Sequence, residues 1–149
     1  MKNTWIKQAM LLLLVVGMSG CTVENRTEVE TEVFRVNQRD WKWNAAYQRY
    51  ECIVNYPELS RGIYEEGTVL GGVFVTESDA AGEYEVLKSL PFVESLPYQN
   101  RTYTRTISFD VAPGQVTFYI QSSDLSDSTG DLGSYVFKIT LVWEEERVR

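Results

Sequence analysis

The sequence contains no histidine. That removes Ser-His-Asp and Cys-His catalysis and takes away the commonest transition-metal ligand. Cysteine is scarce, with only Cys21 and Cys52 among 149 residues. No Cys-x-x-Cys pair, His-Glu-x-x-His helix, Walker loop or Gly-x-Gly-x-x-Gly turn exists in the chain, so the usual motifs for metal hydrolysis, phosphate and dinucleotide binding are missing. Basic residues are outnumbered, 14 Lys and Arg against 21 Asp and Glu, for a net charge of −7. A nucleic-acid backbone needs Lys and Arg to neutralise it, so nucleic acid is not an expected partner. Long apolar runs are absent apart from one, Ala9 to Met18.

That run is the first feature to interpret. Lys2 and Lys7 precede it, and Ser19 and Gly20 separate it from Cys21. Crossing a hydrocarbon core takes about 20 apolar residues in a helix, so the shorter run reads as a secretory signal over residues 1–20. The ending Met18-Ser19-Gly20-Cys21 resembles the lipobox of bacterial lipoproteins, in which the cysteine is acylated and becomes the first residue of the mature chain. The competing reading is an ordinary secretory cleavage next to a coincidental cysteine. Each buried methylene contributes about 0.8 kcal/mol, and one acyl chain holds a protein only marginally. Two or three chains on Cys21 make the attachment lasting. The expected location is therefore the bacterial envelope, in the outer membrane, with lipid as the membrane contact.

The signal takes two basic residues and no acidic ones, leaving a mature charge of −9. Residues 21–28 read as an acidic tether, and residues 29–149 have the size of one domain. With Cys21 acylated, Cys52 has no disulfide partner. The alternation Tyr50, Cys52, Val54, Tyr56 places its thiol on an apolar face, where an unpaired cysteine packs as a small hydrophobe.

Apolar residues recur with period two almost throughout, the mark of strands. The candidates are 29–37, 40–43, 48–56, 68–76, 83–89, 102–111, 115–122 and 134–144. About eight short strands separated by turn residues predict an all-β protein, an antiparallel β-sandwich. One helical turn is expected from Pro57 to Glu66, with Leu59 and Ile63 toward the core. Pro113-Gly114 suits a type II turn, because Pro presets φ and Gly takes φ > 0. Pairing outward from it sets Val111 opposite Val116, Phe109 opposite Phe118 and Ile107 opposite Ile120. These six residues are the predicted core, since burial selects register. The last strand carries Tyr135, Phe137, Ile139, Leu141 and Trp143 on one face.

From Tyr50 onward the chain resembles small uncharacterised lipoproteins of the Bacteroidetes. The residues that carry the resemblance are Tyr56-Pro57-Glu58-Leu59, Gly67 leading a strand, Leu96-Pro97-Tyr98, Pro113-Gly114, Ser123-Asp124 and Val136-Phe137-Lys138-Ile139. They are turns and core positions, so the resemblance implies a fold and an address and brings no catalytic residues.

Few residues offer chemistry. Trp41 and Trp43 lie on one face of a strand, where indoles either stack on sugar rings or serve the core by giving their N–H to a carbonyl. Asp124, Asp127 and Asp131 are oxygen ligands suited to Ca²⁺, though their spacing matches no EF-hand, and a polar hairpin loop accounts for them as well. Asp127-Ser128-Thr129 resembles the O-glycosylation site of exported Bacteroidetes proteins, with Ser128 as acceptor. Two carboxylates 5–9.5 Å apart can hydrolyse glycosides, but none of the 21 acids is singled out. The expected function is a non-enzymatic envelope module, binding or structural, without cofactor or metal. Its alternatives are a carbohydrate-binding accessory and a subunit of a surface fibre or envelope assembly.

The wild-type protein should enter the detergent phase on phase partitioning, and Cys21→Ser should leave it aqueous or unprocessed. A wild-type chain that stays in the aqueous phase contradicts the anchor.

Overall fold

The computed structural model describes residues 23–98, 101–125 and 132–148. The predicted signal, Cys21, Asp127, Ser128 and Asp131 lie outside them. Among the described residues there are nine strands: β1 (Val23–Val36), β2 (Lys42–Asn44), β3 (Arg49–Asn55), β4 (Thr68–Asp79), β5 (Gly82–Ser89), β6 (Phe92–Tyr98), β7 (Arg101–Ala112), β8 (Gln115–Ser122) and β9 (Tyr135–Val148). A 3₁₀ turn, Gln38–Asp40, joins β1 to β2, and a short helix α1, Arg61–Glu66, lies between β3 and β4. One antiparallel sheet has the order β1-β9-β4-β5 and the other β2-β3-β8-β7-β6. The protein is an all-β sandwich.

The chain divides into two compact units. The smaller comprises Met1–Thr27 and Glu144–Arg149, and its described residues are the first of β1 and the last of β9. The larger, Glu28–Trp143, holds the hydrophobic core.

Several expectations shift in detail. β1 begins at Val23, so residues 23–28, read as tether, are strand. Their polarity concealed it, because β1 adjoins β9 and ladder bonds come from the backbone, whatever the side chains. β6 was missed altogether. Its run is broken by Pro91 and Pro97, which argue against a central strand, and β6 pairs only with β7 at the sheet edge, where proline is tolerated. The helix is shorter than expected. Ser60 caps it, its Oγ accepting from Ile63 N at 3.3 Å, while Pro57 and Glu58 form a turn. Leu59 is buried and Ile63 half-buried.

The β7–β8 hairpin has the register that burial requires: Val111 faces Val116, Phe109 faces Phe118 and Ile107 faces Ile120. Gly114 sits at φ +76°, as a type II turn demands of its second central residue. Ile107, Val116, Phe118 and Ile120 are buried, whereas Phe109 and Val111 are half-buried and pack against the core. Phe118 stacks on Phe137 of β9, with ring centroids 4.1 Å apart and 14° between planes. Phe34 of β1 meets both Phe118 and Tyr56 edge-on or tilted. A side chain at Gly71 would collide with the Phe109 ring, so glycine there lets the sheets close around it.

Tyr56 is buried, and its hydroxyl meets no protein partner. Burial and the charges of Glu30, Glu32 and Glu58 push it up to about 12. Its folded value lies above the ordinary tyrosine value, so its ionisation leaves stability unchanged below pH 10 and lowers it as pH rises from 10 toward 12. Phe118→Ala should cost about 3–5 kcal/mol, while Tyr56→Phe should be neutral or stabilising, since it removes an unsatisfied buried group worth about 1–3 kcal/mol. Denaturant melts at pH 7 and pH 11 check both, and the alkaline loss of stability should shrink in Tyr56→Phe.

Candidate binding groove

The site grows from the way the chain enters β2. Asn37 caps the 3₁₀ turn: its backbone N–H and its side-chain Nδ2 both donate to Asp40 Oδ2 at 2.9 Å. These bonds, backbone first, hold the Asp40 carboxyl below its usual value, with help from the Arg39 and Lys42 charges. The turn carries the chain past the start of a possible longer strand, so β2 covers only Lys42–Asn44 and pairs only with Arg49–Glu51 of β3.

Trp41, at the end of the turn, is buried. Its indole N–H donates to Gly133 O at 3.1 Å, and its ring lies edge-on to Tyr135 and Phe137. Trp43 is half-buried and leans on the Tyr50 ring at 5.0 Å. The two indoles thus differ: one is enclosed with its polar atom satisfied, and the other borders an open groove. That groove has a volume of about 690 Å³ and is lined by Arg39, Asp40, Lys42, Trp43, Asn44, Ala45, Glu51, Cys52 and Ile53.

Its carboxylates are already engaged. Glu51 accepts from Arg49 Nε at 2.6 Å and from Asn44 Nδ2 at 2.8 Å, and Asp40 is held by Asn37. Arg49 also donates to Asp110 Oδ2 at 2.7 Å. Its guanidinium lies 4.0 Å from the Tyr119 ring centre and 4.9 Å from that of Tyr47, distances at which the ring faces attract a cation. Burial opposes the Arg49 charge, but its hydrogen bonds with Glu51 and Asp110 outweigh that and hold its pKa above the ordinary value. Arg39 is almost wholly solvent-exposed, with its Nε 3.9 Å from Asp40 Oδ1, and Lys42 is exposed, so the groove sets two cations beside the Asp40 and Glu51 carboxylates.

Cys52 is a free thiol in the groove wall, half-buried rather than enclosed. Burial, and secondarily the Asp40 charge, pushes its pKa up, which keeps it a weak nucleophile at neutral pH. Asp124 is exposed, and among the described residues no group of three or more acidic or cysteine side chains has a metal-binding arrangement. Sequence reasoning missed Arg39, Lys42, Arg49, Glu51 and Asp110. Arg49 and Glu51, two apart on a strand, share a face and were the one available signal. Asp110 comes from β7, two strands away in the sheet.

Comparison with known proteins returns no matching family model, curated protein or solved structure. The candidate site therefore rests on its own geometry.

Arg49→Ala should destabilise the domain by about 3–5 kcal/mol, because it leaves the largely buried Glu51 carboxylate without its cation. Replacing both by leucine should cost less than the single change. Urea melts of the two variants check the order, and equal or reversed losses contradict it.

Proposed function

We propose that this chain is an exported lipoprotein, held in the bacterial outer membrane by lipid on Cys21, whose β-sandwich is a binding module. The groove beside Trp43 is its binding site, and the partner is another component of the envelope. The observation that carries this reading is the groove itself. Its volume of about 690 Å³ falls within the range of ligand sites. It combines an indole, an aliphatic side chain and two exposed cations.

A binding role suits the site better than catalysis. A general acid or base must exchange its proton with a substrate, and both carboxylates here are occupied as fixed hydrogen-bond acceptors. The lipobox ending Met18-Ser19-Gly20-Cys21 supports the anchor, and the resemblance to Bacteroidetes lipoproteins supports the outer membrane. A sugar-binding accessory is the second reading, favoured by Trp43, whose half-buried indole borders the groove.

Cys52 gives a direct test, being the only thiol of the acylated chain. In intact cells a membrane-permeant maleimide should label it about tenfold more slowly than in the purified protein, the protection expected when a partner is present at ten times its Kd. Equal labelling in the two states contradicts an occupied groove.

A further inference from the structure

The outer face of the four-stranded sheet departs from the usual pattern of a solvated sheet, apolar inside and polar outside. A side chain at Gly71 would point inward at Phe109, so the even-numbered residues of β4 point outward, and the ladders carry that face across to β5 and β9. Leu70 of β4 and Leu87 of β5 lie on it, 55% and 45% exposed. On β1 it carries Val29 and Val33, on either side of Thr31, whose Oγ1 is 3.0 Å from Thr140 Oγ1 of β9. Gly72 brings no side chain, and a hollow of about 220 Å³ opens there among Leu70, Leu87, Lys138 and Thr140. Exposed apolar residues gathered on one face mark an interaction site.

The charges on this face say what meets it. Between Glu28 and Trp143 its outward positions hold two cations, Arg35 of β1 and Lys138 of β9, and two acids, Glu83 and Glu85 of β5. None of the four makes an ion pair among the described residues. On the outer face of the other sheet, in contrast, Arg49 is bonded to Glu51 and Asp110. Two cations and two acids make the face neutral in a chain of net charge −7, so two copies can meet there without the repulsion that otherwise keeps them apart. The cations stand on the β1–β9 half and the acids on the β5 edge, an arrangement complementary to itself.

We propose that this face pairs with the same face of a second copy of the chain, across a two-fold axis running along the strands between β9 and β4. That axis lays β9 over β4 of the other copy and β1 over its β5, as an isologous contact requires. Thr31 lies beside Thr140 and the strands are antiparallel. Arg35, four residues on, is therefore at the end of the face where Val136, Phe74 and Leu87 align. Glu85 is the next outward residue of β5, so each Arg35 meets Glu85 of the other copy. Lys138, opposite Gly72 within its own sheet, lies over the Gly72 hollow of the other copy, which has room for its methylene stem. The groove beside Trp43 belongs to the five-stranded sheet and takes no part.

Sedimentation equilibrium of the purified chain in a density-matched detergent tests the pairing. Wild type should have the mass of two copies at micromolar concentration. Leu70→Glu, in the middle of the face, should weaken the dimer about a hundredfold, whereas Val93→Glu, 54% exposed on the other sheet, should leave it unchanged. Arg35→Glu and Glu85→Arg should each weaken it about as much, since like charges then meet at both symmetric contacts. An equal mixture of those two variants should form dimers again, because one carries acids at both positions and the other cations at both. Recovery on mixing also shows that both variants are folded. A mixture that keeps the mass of one copy, or equal losses from Leu70→Glu and Val93→Glu, overturns the pairing. Wild type with the mass of one copy overturns it too, and leaves the face to lipid or to a different protein.

Discussion

The stack of Phe118 on Phe137 sets the terms for the rest of the sandwich. β8 lies at the centre of the five-stranded sheet and β9 is flanked by β1 and β4 in the other, so the two rings, 4.1 Å apart, bridge the layers where each is most enclosed. Facing sheets pack about 10 Å apart, a spacing that two inward aromatic side chains fill between them. Around this pair the core admits little variation. Phe34 and Tyr56 close one side with edge-on contacts, and Gly71 makes room for Phe109 where any larger residue would force the layers apart. Cores packed this densely register a change of even one methylene.

The same closure puts the groove at a sheet edge. The chain changes sheet between β1 and β2, and the 3₁₀ turn locked by Asn37 and Asp40 performs that change in three residues. β2 is short as a consequence, and among the described residues β3 has no partner strand on that side beyond Glu51. On the outer surface Arg49 ties β3 to β7 through Asp110 while lying over Tyr119 of β8. This brace steadies the floor from which the groove rises.

Much of this was legible in the residues. Period-two alternation announced strands, and the Pro113-Gly114 turn with matched apolar partners specified the β7–β8 register. The enclosed position of Trp41 was one of two readings of its spacing with Trp43, and the carbonyl it found belongs to Gly133, 92 residues away. β6 was hidden by its prolines and the start of β1 by its charges, since both strands lie at edges where backbone pairing needs no apolar side chain. Arg49 and Glu51 shared a visible face, but nothing near them in the chain pointed to Asp110.

By itself the sequence determined what depends on neighbours along the chain: the strand periodicity, the inward and outward faces, and the one tight hairpin. These follow from local backbone preferences and from the need to bury alternate side chains. Only the tertiary structure decided that β3 pairs with β8 and β4 with β9, that β2 stops after three residues, and that a groove opens beside Trp43. Ladder hydrogen bonds are made by backbone groups that every residue but proline carries alike, so the choice of partner strand is written in no local pattern. It emerges when distant residues such as Phe118 and Phe137 compete for the same buried space.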